Sequence, residues 1–319
     1  MRTLILGAGG TGGYFGGRLA QSGADVTFLV RDPRARQLQQ CGLQIRSPLG
    51  DADIHVAHVT TAGLGERVAR APFDLVILSC KAYDLDSSIA AIEPAIAAGT
   101  TLLPILNGLR HYPLLDQRFG RERVLGGLCF ISATKGAGGQ VLHLAAPASI
   151  TFGERDGDPA SARTSAIAAL FARAGVDHQR SPHIAQALWV KYSFLTALAA
   201  GTCLMRAPVG EIVATQGGED FMRALYRECL AVAHAEGEPV DAAEQARALQ
   251  VLLAAGSPIK ASMLRDLEAG RPVEALQIVG DMLQRARSAS LQAPLLAAAW
   301  CHLQAYEGAR PQAAGITPA

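Results

Sequence analysis

The sequence is poor in net charge: over 319 residues the formal balance is +1 and only 18% of residues are charged. No global field favours nucleic acid, acidic lipid or an acidic protein, so the expected partner is a small molecule. The N-terminus lacks a leader-like apolar segment, because only Leu4, Ile5 and Leu6 precede the first glycine, Gly7. Export is therefore not expected, and a cytoplasmic location is. A membrane-spanning run is lacking as well. The longest nearly uncharged stretch, Tyr192 to Met205, includes Ser193, Thr196, Gly201 and Thr202. It falls short of the roughly 20 residues a span needs, which points to a buried helix and to no membrane partner. The cysteines Cys41, Cys80, Cys129, Cys203, Cys229 and Cys301 form no CxxC pair and no metal-type spacing. That is the pattern of reduced cytosolic thiols, with no metal site implied. No solenoid repeat is present, and the one weakly structured tract runs from Arg310 to Gly315.

Lysine is the most informative scarcity. Of 29 basic residues only Lys81, Lys135, Lys191 and Lys260 are lysines, which leaves 25 arginines. A chain that otherwise writes Arg for positive charge keeps Lys at four places, and Lys, unlike Arg, can give up its proton when buried. Each lysine is a suspect for chemistry.

What is present is apolar mass: half the residues are hydrophobic, and the length suits two packed domains. In the first half, β-rich runs at Thr3 to Leu6, Asp25 to Val30, Leu75 to Ser79 and Thr101 to Ile105 alternate with helical segments such as Gly12 to Ser22 and Leu85 to Ala98. That rhythm predicts βαβ units and a parallel sheet. Leu43 to Ser47 and Asp53 to His58 flank the turn Pro48 to Asp51 and predict a hairpin. Further strands are expected at Val124 to Ser132, Gln140 to Leu144 and Ser149 to Gly153. Around Ser181-Pro182 the texture changes to apolar spacings of three and four, as at Phe221 and Leu225, which predicts helices. The expected fold is α/β, with an N-terminal dinucleotide-binding domain over 1–181 and an all-helical domain over 182–319.

The dinucleotide expectation rests on Gly7-Ala8-Gly9-Gly10-Thr11-Gly12, a GxGxxG that directly follows the first strand and opens a helix. In that context the glycines permit a tight turn, close approach of a pyrophosphate and close helix-strand packing, a Rossmann-type arrangement. The second strand ends Phe28-Leu29-Val30-Arg31-Asp32. Arg31 at its tip, with Arg34 and Arg36 behind, can bind a ribose 2′-phosphate, which favours NADP(H), while Asp32 keeps NADH open. A solvated loop is the plain alternative for Arg34 and Arg36 more than for Arg31. Lys81 in Ser79-Cys80-Lys81-Ala82 and Asn107 in Leu106-Asn107-Gly108 follow later strands, at the edge where open α/β sheets hold ligands.

Taken together the chain resembles the ketopantoate reductases, or 2-dehydropantoate 2-reductases. The resemblance rests on Gly7 to Gly13, Arg31, Cys80-Lys81-Ala82, Asn107-Gly108, Gly139 to His143, Leu188-Trp189-Val190-Lys191, Gly210-Glu211, Ser262 to Asp266 and Glu274. It implies an NADPH-dependent reductase in which Lys191 is the proton donor and Glu274 its paired carboxylate. It further implies that Ser262, with Asn107 and Lys191, meets the substrate, and that the backbone at Ala133 touches the cofactor. The chemistry agrees, since hydride addition to a carbonyl builds charge on oxygen that a nearby ammonium can stabilise and protonate. His143, Lys135 and Lys260 are expected to be structural or solvated.

The resemblance breaks where that family carries asparagines that grip the substrate. Those positions are Leu195, Ala199, Val209 and Ile259. Losing a hydrogen-bond partner there would cost a polar ligand roughly 1 to 3 kcal/mol each. Reduction of 2-dehydropantoate to pantoate, as in pantothenate biosynthesis, is the leading named reaction. Its alternatives are reduction of a more apolar 2-oxo acid, a 3-hydroxyacid or opine-type dehydrogenase, and an NADPH-binding sensor without turnover. The apolar helical stretch from Gly217 to Gly308 is a candidate subunit interface, so a homodimer is expected.

Overall fold

The computed structural model describes residues 1–310; from Pro311 onward the weakly structured tail expected at Arg310 to Gly315 lies outside the described residues. The chain divides into two compact units, Met1–Leu188 and Trp189–Ala319.

The first unit contains β1 (Thr3–Leu6), α1 (Gly10–Gln21), β2 (Val26–Leu29), α2 (Asp32–Cys41), β3 (Leu43–Arg46), β4 (Ala52–Ile54), β5 (Ala57–Val59), α3 (Thr61–Arg70), β6 (Leu75–Leu78), α4 (Leu85–Ile92) and β7 (Thr101–Pro104). It continues through α5 (His111–Phe119), β8 (Gly126–Lys135), β9 (Val141–Gly153), α6 (Ala162–Arg173) and β10 (Asp177–Arg180). Every residue of β1, β2, β6 and β7 is buried, as expected of parallel strands covered on both faces. They form a parallel sheet in the order β5-β2-β1-β6-β7. A second sheet runs β10-β9-β3-β4, with β8 antiparallel on β9.

Helix α1 can lie against both sheets because its packing face is glycine. A Cβ on Gly16 would come within 2.8 Å of the Phe28 ring on β2, and one on Gly17 within 2.6 Å of Ile45 on β3. Even one added methyl at either place would overpack a full core.

Two strand expectations change in three dimensions. Asp53 to His58 is not one strand: Ala52–Ile54 completes the hairpin with β3, while Ala57–Val59 pairs with β2 in the other sheet. The runs at Gln140 to Leu144 and Ser149 to Gly153 are two ends of the 13-residue β9. Its exposed middle, Leu144 to Pro147, carries no burial pattern that a sequence could show, but β8 pairs along most of its length.

Among the described residues the second unit forms helices and no strand, as the texture after residue 181 predicts. Helix α7 (Ile184–Met205) begins in the first unit and enters the second. It is followed by α8 (Val209–Val213), α9 (Gly218–Ala235), α10 (Ala242–Leu252), α11 (Ser262–Glu268), a π-helical turn over Leu276–Gly280, α12 (Asp281–Ser288) and α13 (Pro294–Ala309). Helix α9 is its hub, burying Met222, Leu225, Tyr226, Cys229, Val232 and Ala233 along one stripe and packing on α8, α10, α12 and α13. Helix α7 is longer than the uncharged run beginning at Tyr192 suggests, because it continues through Lys191 to Ile184. At 22 residues and mean hydropathy 1.3 it is long and apolar enough to cross a membrane by length and composition, yet 67% of that window is buried inside the protein, the behaviour of a core helix.

Candidate active site

At the C-terminal edge of the parallel sheet, β1 runs into Gly7, whose φ of +90° lies in the left-handed region that glycine alone tolerates freely. The chain then turns into α1, with Gly9 as its N-cap and no side-chain cap or acidic residue in the first turn. The glycines of this turn divide into two kinds. A Cβ on Gly10 would sit 2.6 Å from the Ala133 carbonyl oxygen of β8, and one on Gly12 would collide with Ser79 Oγ and lie 2.7 Å from the Gly7 carbonyl oxygen. Around Gly9 nothing lies within 4 Å of that position, so packing within the protein does not explain a glycine there. Close approach of a ligand to the backbone does, and the turn fits a dinucleotide pyrophosphate at the start of a helix.

The loops on this edge bring the other sequence candidates around the turn. Arg31 follows β2 and Lys81 follows β6, N-capping a short 3₁₀ turn, Ala82–Asp84. Asn107 follows β7, just before Gly108 with φ of +77°. Strand order reverses direction at β1, with β2 on one side and β6 on the other, which is the topological switch point where such sheets bind ligands. Ser79 Oγ donates to the Leu6 carbonyl oxygen at 2.9 Å and ties the two inner loops together. Ala133 stands on β8 against Gly10.

The arginines behind the second strand divide by exposure, and Arg34 alone departs from the solvated-loop alternative. Arg31 is the solvated one, its side chain 74% exposed and its Nη2 2.7 Å from Asp84 Oδ1. Arg34 is half-buried. Its Nη2 donates to the Ala8 carbonyl oxygen at 2.8 Å, and its Nη1 to the Gly139 carbonyl oxygen at 2.8 Å and to Gln37 Oε1 at 2.6 Å. Desolvation of this guanidinium lowers its pKa. Arg34 therefore clamps the glycine turn to the β8-β9 connection, a tertiary role that composition cannot announce. Arg36 is exposed, as expected.

In the helical unit Lys191 and Glu274 are both buried, at 9% and 7% exposure. Ser262 is the exposed first residue of α11. Lys191 falls between Trp189 and Tyr192 in the chain, and the rings of those two residues are 5.5 Å apart. The Tyr192 hydroxyl is 2.9 Å from the Ile278 carbonyl oxygen and 3.0 Å from Asp281 Oδ2. Arg285 Nε donates to the same carboxylate oxygen at 2.9 Å, and its guanidinium lies 5.4 Å from the centre of the Trp189 ring. Burial, and then the charge of Asp281, pushes the Tyr192 hydroxyl well above its ordinary pKa. The π-helical turn that leaves Glu274, where the Ile278 N–H bonds the Glu274 carbonyl oxygen, is thus tied to the helix that carries Lys191. Such widened turns recur at functional sites.

The four substituted positions also lie in this unit. Lys191, Leu195 and Ala199 follow one another at i, i+4 and i+8 on α7, a single helix face. Val209 is wholly buried, and its N–H bonds the Ile259 carbonyl oxygen at 3.0 Å. Two of the positions that lack asparagine are therefore neighbours.

Other expectations resolve simply. His143 is buried against the Tyr14 ring at 4.6 Å, with Ser47 Oγ 2.8 Å from its Nδ1, a packed core histidine. Lys260 pairs with Glu268 at 2.8 Å, and Lys135 ends β8 in an exposed position. Burial pushes the Cys203 thiol up to about 12, which keeps it inert as a nucleophile. Sequence reasoning named Arg34 but missed its clamping role, and it missed Asp84 and the Tyr192-Asp281-Arg285 network. An acid inside the apolar run Leu276 to Leu283 was the available signal for the last.

The ketopantoate reductase PanE/ApbA family model matches residues 3–157, and the C-terminal model of the same family matches residues 183–307. The chain belongs to the ketopantoate reductase family. It is accordingly an NADP-dependent oxidoreductase, of a class that reduces 2-oxo acids. An uncharacterized oxidoreductase, YkpB, of Bacillus subtilis is 38% identical over 96% of this chain and 99% of its own. The crystal structure of 2-dehydropantoate 2-reductase from Geobacter metallireducens superposes with a TM-score of 0.85 at 30% identity, over 96% of this chain and 99% of that one. The ternary structure of D-mandelate dehydrogenase with NADH and anilino(oxo)acetate shares the fold, with a TM-score of 0.85 at 21% identity, over 97% and 99% of the two chains.

Proposed function

We propose that this protein reduces a 2-oxo acid to the 2-hydroxy acid with NADPH, and that Lys191 delivers the proton to the carbonyl oxygen. The observation that carries the reading is the burial of Lys191, one of four lysines in an arginine-rich chain, in the same helical unit as the buried carboxylate Glu274. A buried ammonium is costly unless its charge is used or paired. NADPH would supply the hydride. Gly7, Ala8, Gly9, Gly10, Thr11 and Gly12 would receive its pyrophosphate, Arg31 its 2′-phosphate, and Lys81, Asn107 and Ala133 its ribose and backbone-facing groups. Lys191 would stabilise the alkoxide and protonate it, Glu274 would orient the ammonium, and Ser262 with Asn107 would hold the substrate's polar end.

The substrate we assign is a 2-oxo acid with a more apolar side chain than 2-dehydropantoate. Leu195, Ala199, Val209 and Ile259 offer no side-chain hydrogen bond to a hydroxyl. D-mandelate dehydrogenase, crystallised with an aryl-bearing oxo acid, supports the idea that this scaffold takes apolar tails. We place the functional domain boundary near residue 181, close to where the C-terminal family match begins at 183. We further propose a cytoplasmic homodimer.

The test is NADPH oxidation with 2-dehydropantoate, 2-oxoisovalerate, 2-oxoisocaproate and phenylglyoxylate. At least one apolar acid is expected to exceed 2-dehydropantoate in kcat/KM by about tenfold, the value of one lost hydrogen bond. Lys191→Ala should lower kcat by about 10² to 10⁴ while NADPH still binds. Preference for 2-dehydropantoate by tenfold or more would overturn the substrate assignment. NADPH binding without turnover on any oxo acid would replace the reductase with a sensor.

A further inference from the structure

Arg31 and Asp84 are 53 residues apart in sequence and 2.7 Å apart in space. Arg31 leaves the end of β2, and Asp84 closes the turn after β6. In the sheet, β2 and β6 flank β1 on opposite sides. Neighbouring strands are about 4.8 Å apart, so the ion pair reaches across roughly 10 Å of sheet edge. What it crosses is the outlet of β1, where the Gly7 to Gly12 turn begins.

Resting on the dinucleotide reading above, we infer that Asp84 is a cofactor-specificity residue: its carboxylate competes with the ribose 2′-phosphate for Arg31 and weakens NADPH relative to NADH. Arg34 cannot relieve the competition, because both its Nη groups are committed to Ala8, Gly139 and Gln37. The planar fork of Arg31 recognises phosphate best with two parallel N–H donors, and one of its terminal nitrogens is engaged by Asp84. A 2′-phosphate that takes Arg31 must displace the carboxylate and then sit beside it, well inside one Debye length, where like charges repel. NADH, with a 2′-hydroxyl in that place, meets no such repulsion, and a carboxylate can accept its hydrogen bond.

Substituting the side chain should spare the turn. The Asp84 N–H donates to the Lys81 carbonyl oxygen at 2.9 Å, and the Asp84 carbonyl oxygen accepts from Ser87 Oγ at 2.9 Å. Both bonds are made by the backbone of Asp84, and its carboxylate does not cap the following helix.

The experiment is a fluorescence titration of NADPH and of NADH against wild type, Asp84→Asn, Asp84→Ser and Arg31→Gln. Asp84→Asn and Asp84→Ser are expected to shift the ratio of the two dissociation constants by about 3- to 10-fold toward NADPH, the scale of an exposed ion pair plus a relieved repulsion. The shift should shrink in 0.5 M salt, where exposed charges are screened. Arg31→Gln should move the ratio the other way. A merely structural role for Asp84 would change both constants together and leave the ratio in place. A ratio moved less than twofold by both Asp84 variants, or moved toward NADH, overturns the inference; if wild type still binds and turns over, the reductase assignment stands. Wild type that binds neither dinucleotide overturns both.

Discussion

The glycine turn after β1 and the face of α7 that carries Lys191 are constrained in opposite ways. At the turn, backbone and short side chains press on the chain from several strands: Gly10 meets Ala133, Gly12 meets Ser79, and Gly13 meets Val141. No residue with a Cβ fits without moving one of them. On α7 the positions one and two turns beyond Lys191 hold Leu195 and Ala199, where the resemblance leads one to expect asparagine, and the helix is unbroken. Regular helix geometry depends on the spacing of residues far more than on their chemistry. A scaffold of this kind can keep its cofactor turn and its buried lysine while the residues along the same helix face change.

The sharpest way to break that contrast is at Gly12. Gly12→Ala should overpack the first unit against Ser79 and the Gly7 carbonyl, costing about 1 to 3 kcal/mol and lowering the melting temperature by several degrees in a thermal scan. Gly9→Ala, with open space at the same atom, should leave stability within about 1 kcal/mol and weaken NADPH binding at least tenfold. Equal melting temperatures for the two variants would show that packing does not distinguish these glycines. On the helical side Leu195→Asn is expected to raise kcat/KM for 2-dehydropantoate about 5- to 50-fold by restoring one hydrogen bond, with little change in melting. A lower value with every oxo acid would mean that Leu195 does not face the substrate.

Smaller effects separate the two units by pH. The raised pKa of Tyr192 means that its folded environment favours the neutral hydroxyl. Its stabilisation is complete below the ordinary tyrosine value of about 10 and is lost as pH rises above it. Tyr192→Phe should cost about 1 kcal/mol at neutral pH and flatten the alkaline limb of the stability curve. Glu154 in the first unit behaves in the opposite sense. Burial pushes its carboxyl up, but hydrogen bonds from Arg163 and Ser161 outweigh this and hold it below the usual range. Its contribution is present above the ordinary glutamate value of about 4.3 and is lost as pH falls through the lowered one. Glu154→Gln should therefore flatten the acid limb, a smaller change visible in urea midpoints measured between pH 3 and 6. Identical acid limbs in the two proteins would remove Glu154 from the account.

What could be read in advance follows the same division. The glycine turn, the alternation of strands and helices, and the change of texture near residue 181 are written locally, as residues whose backbone or period admits few alternatives. Lys191 stood out because arginine does nearly all the other cationic work. Arg31 and Arg34 look alike in the sequence, and the distant carbonyls of Ala8 and Gly139 hold only Arg34. The split of Asp53 to His58 between two sheets, the union of two short runs into β9, and the extent of α7 all depend on partners distant in sequence. So does the meeting of Arg31 with Asp84.

The widened turn over Leu276–Gly280 carries a consequence for how this protein can change. A π turn holds one residue more than an α-helix of the same span requires. Losing a single residue there would let the hydrogen bonds close into ordinary α-helix with the flanking residues keeping nearly their former direction, whereas losing one from an ordinary α-helical turn would swing everything upstream by roughly 100° about the axis. Asp281 would stay with Arg285 and Tyr192, and Glu274 would keep its side of the helix. This five-residue stretch, unlike the regular turns of α12, is therefore where the chain can lose a residue and still hold Glu274 and Asp281 on the faces they now occupy.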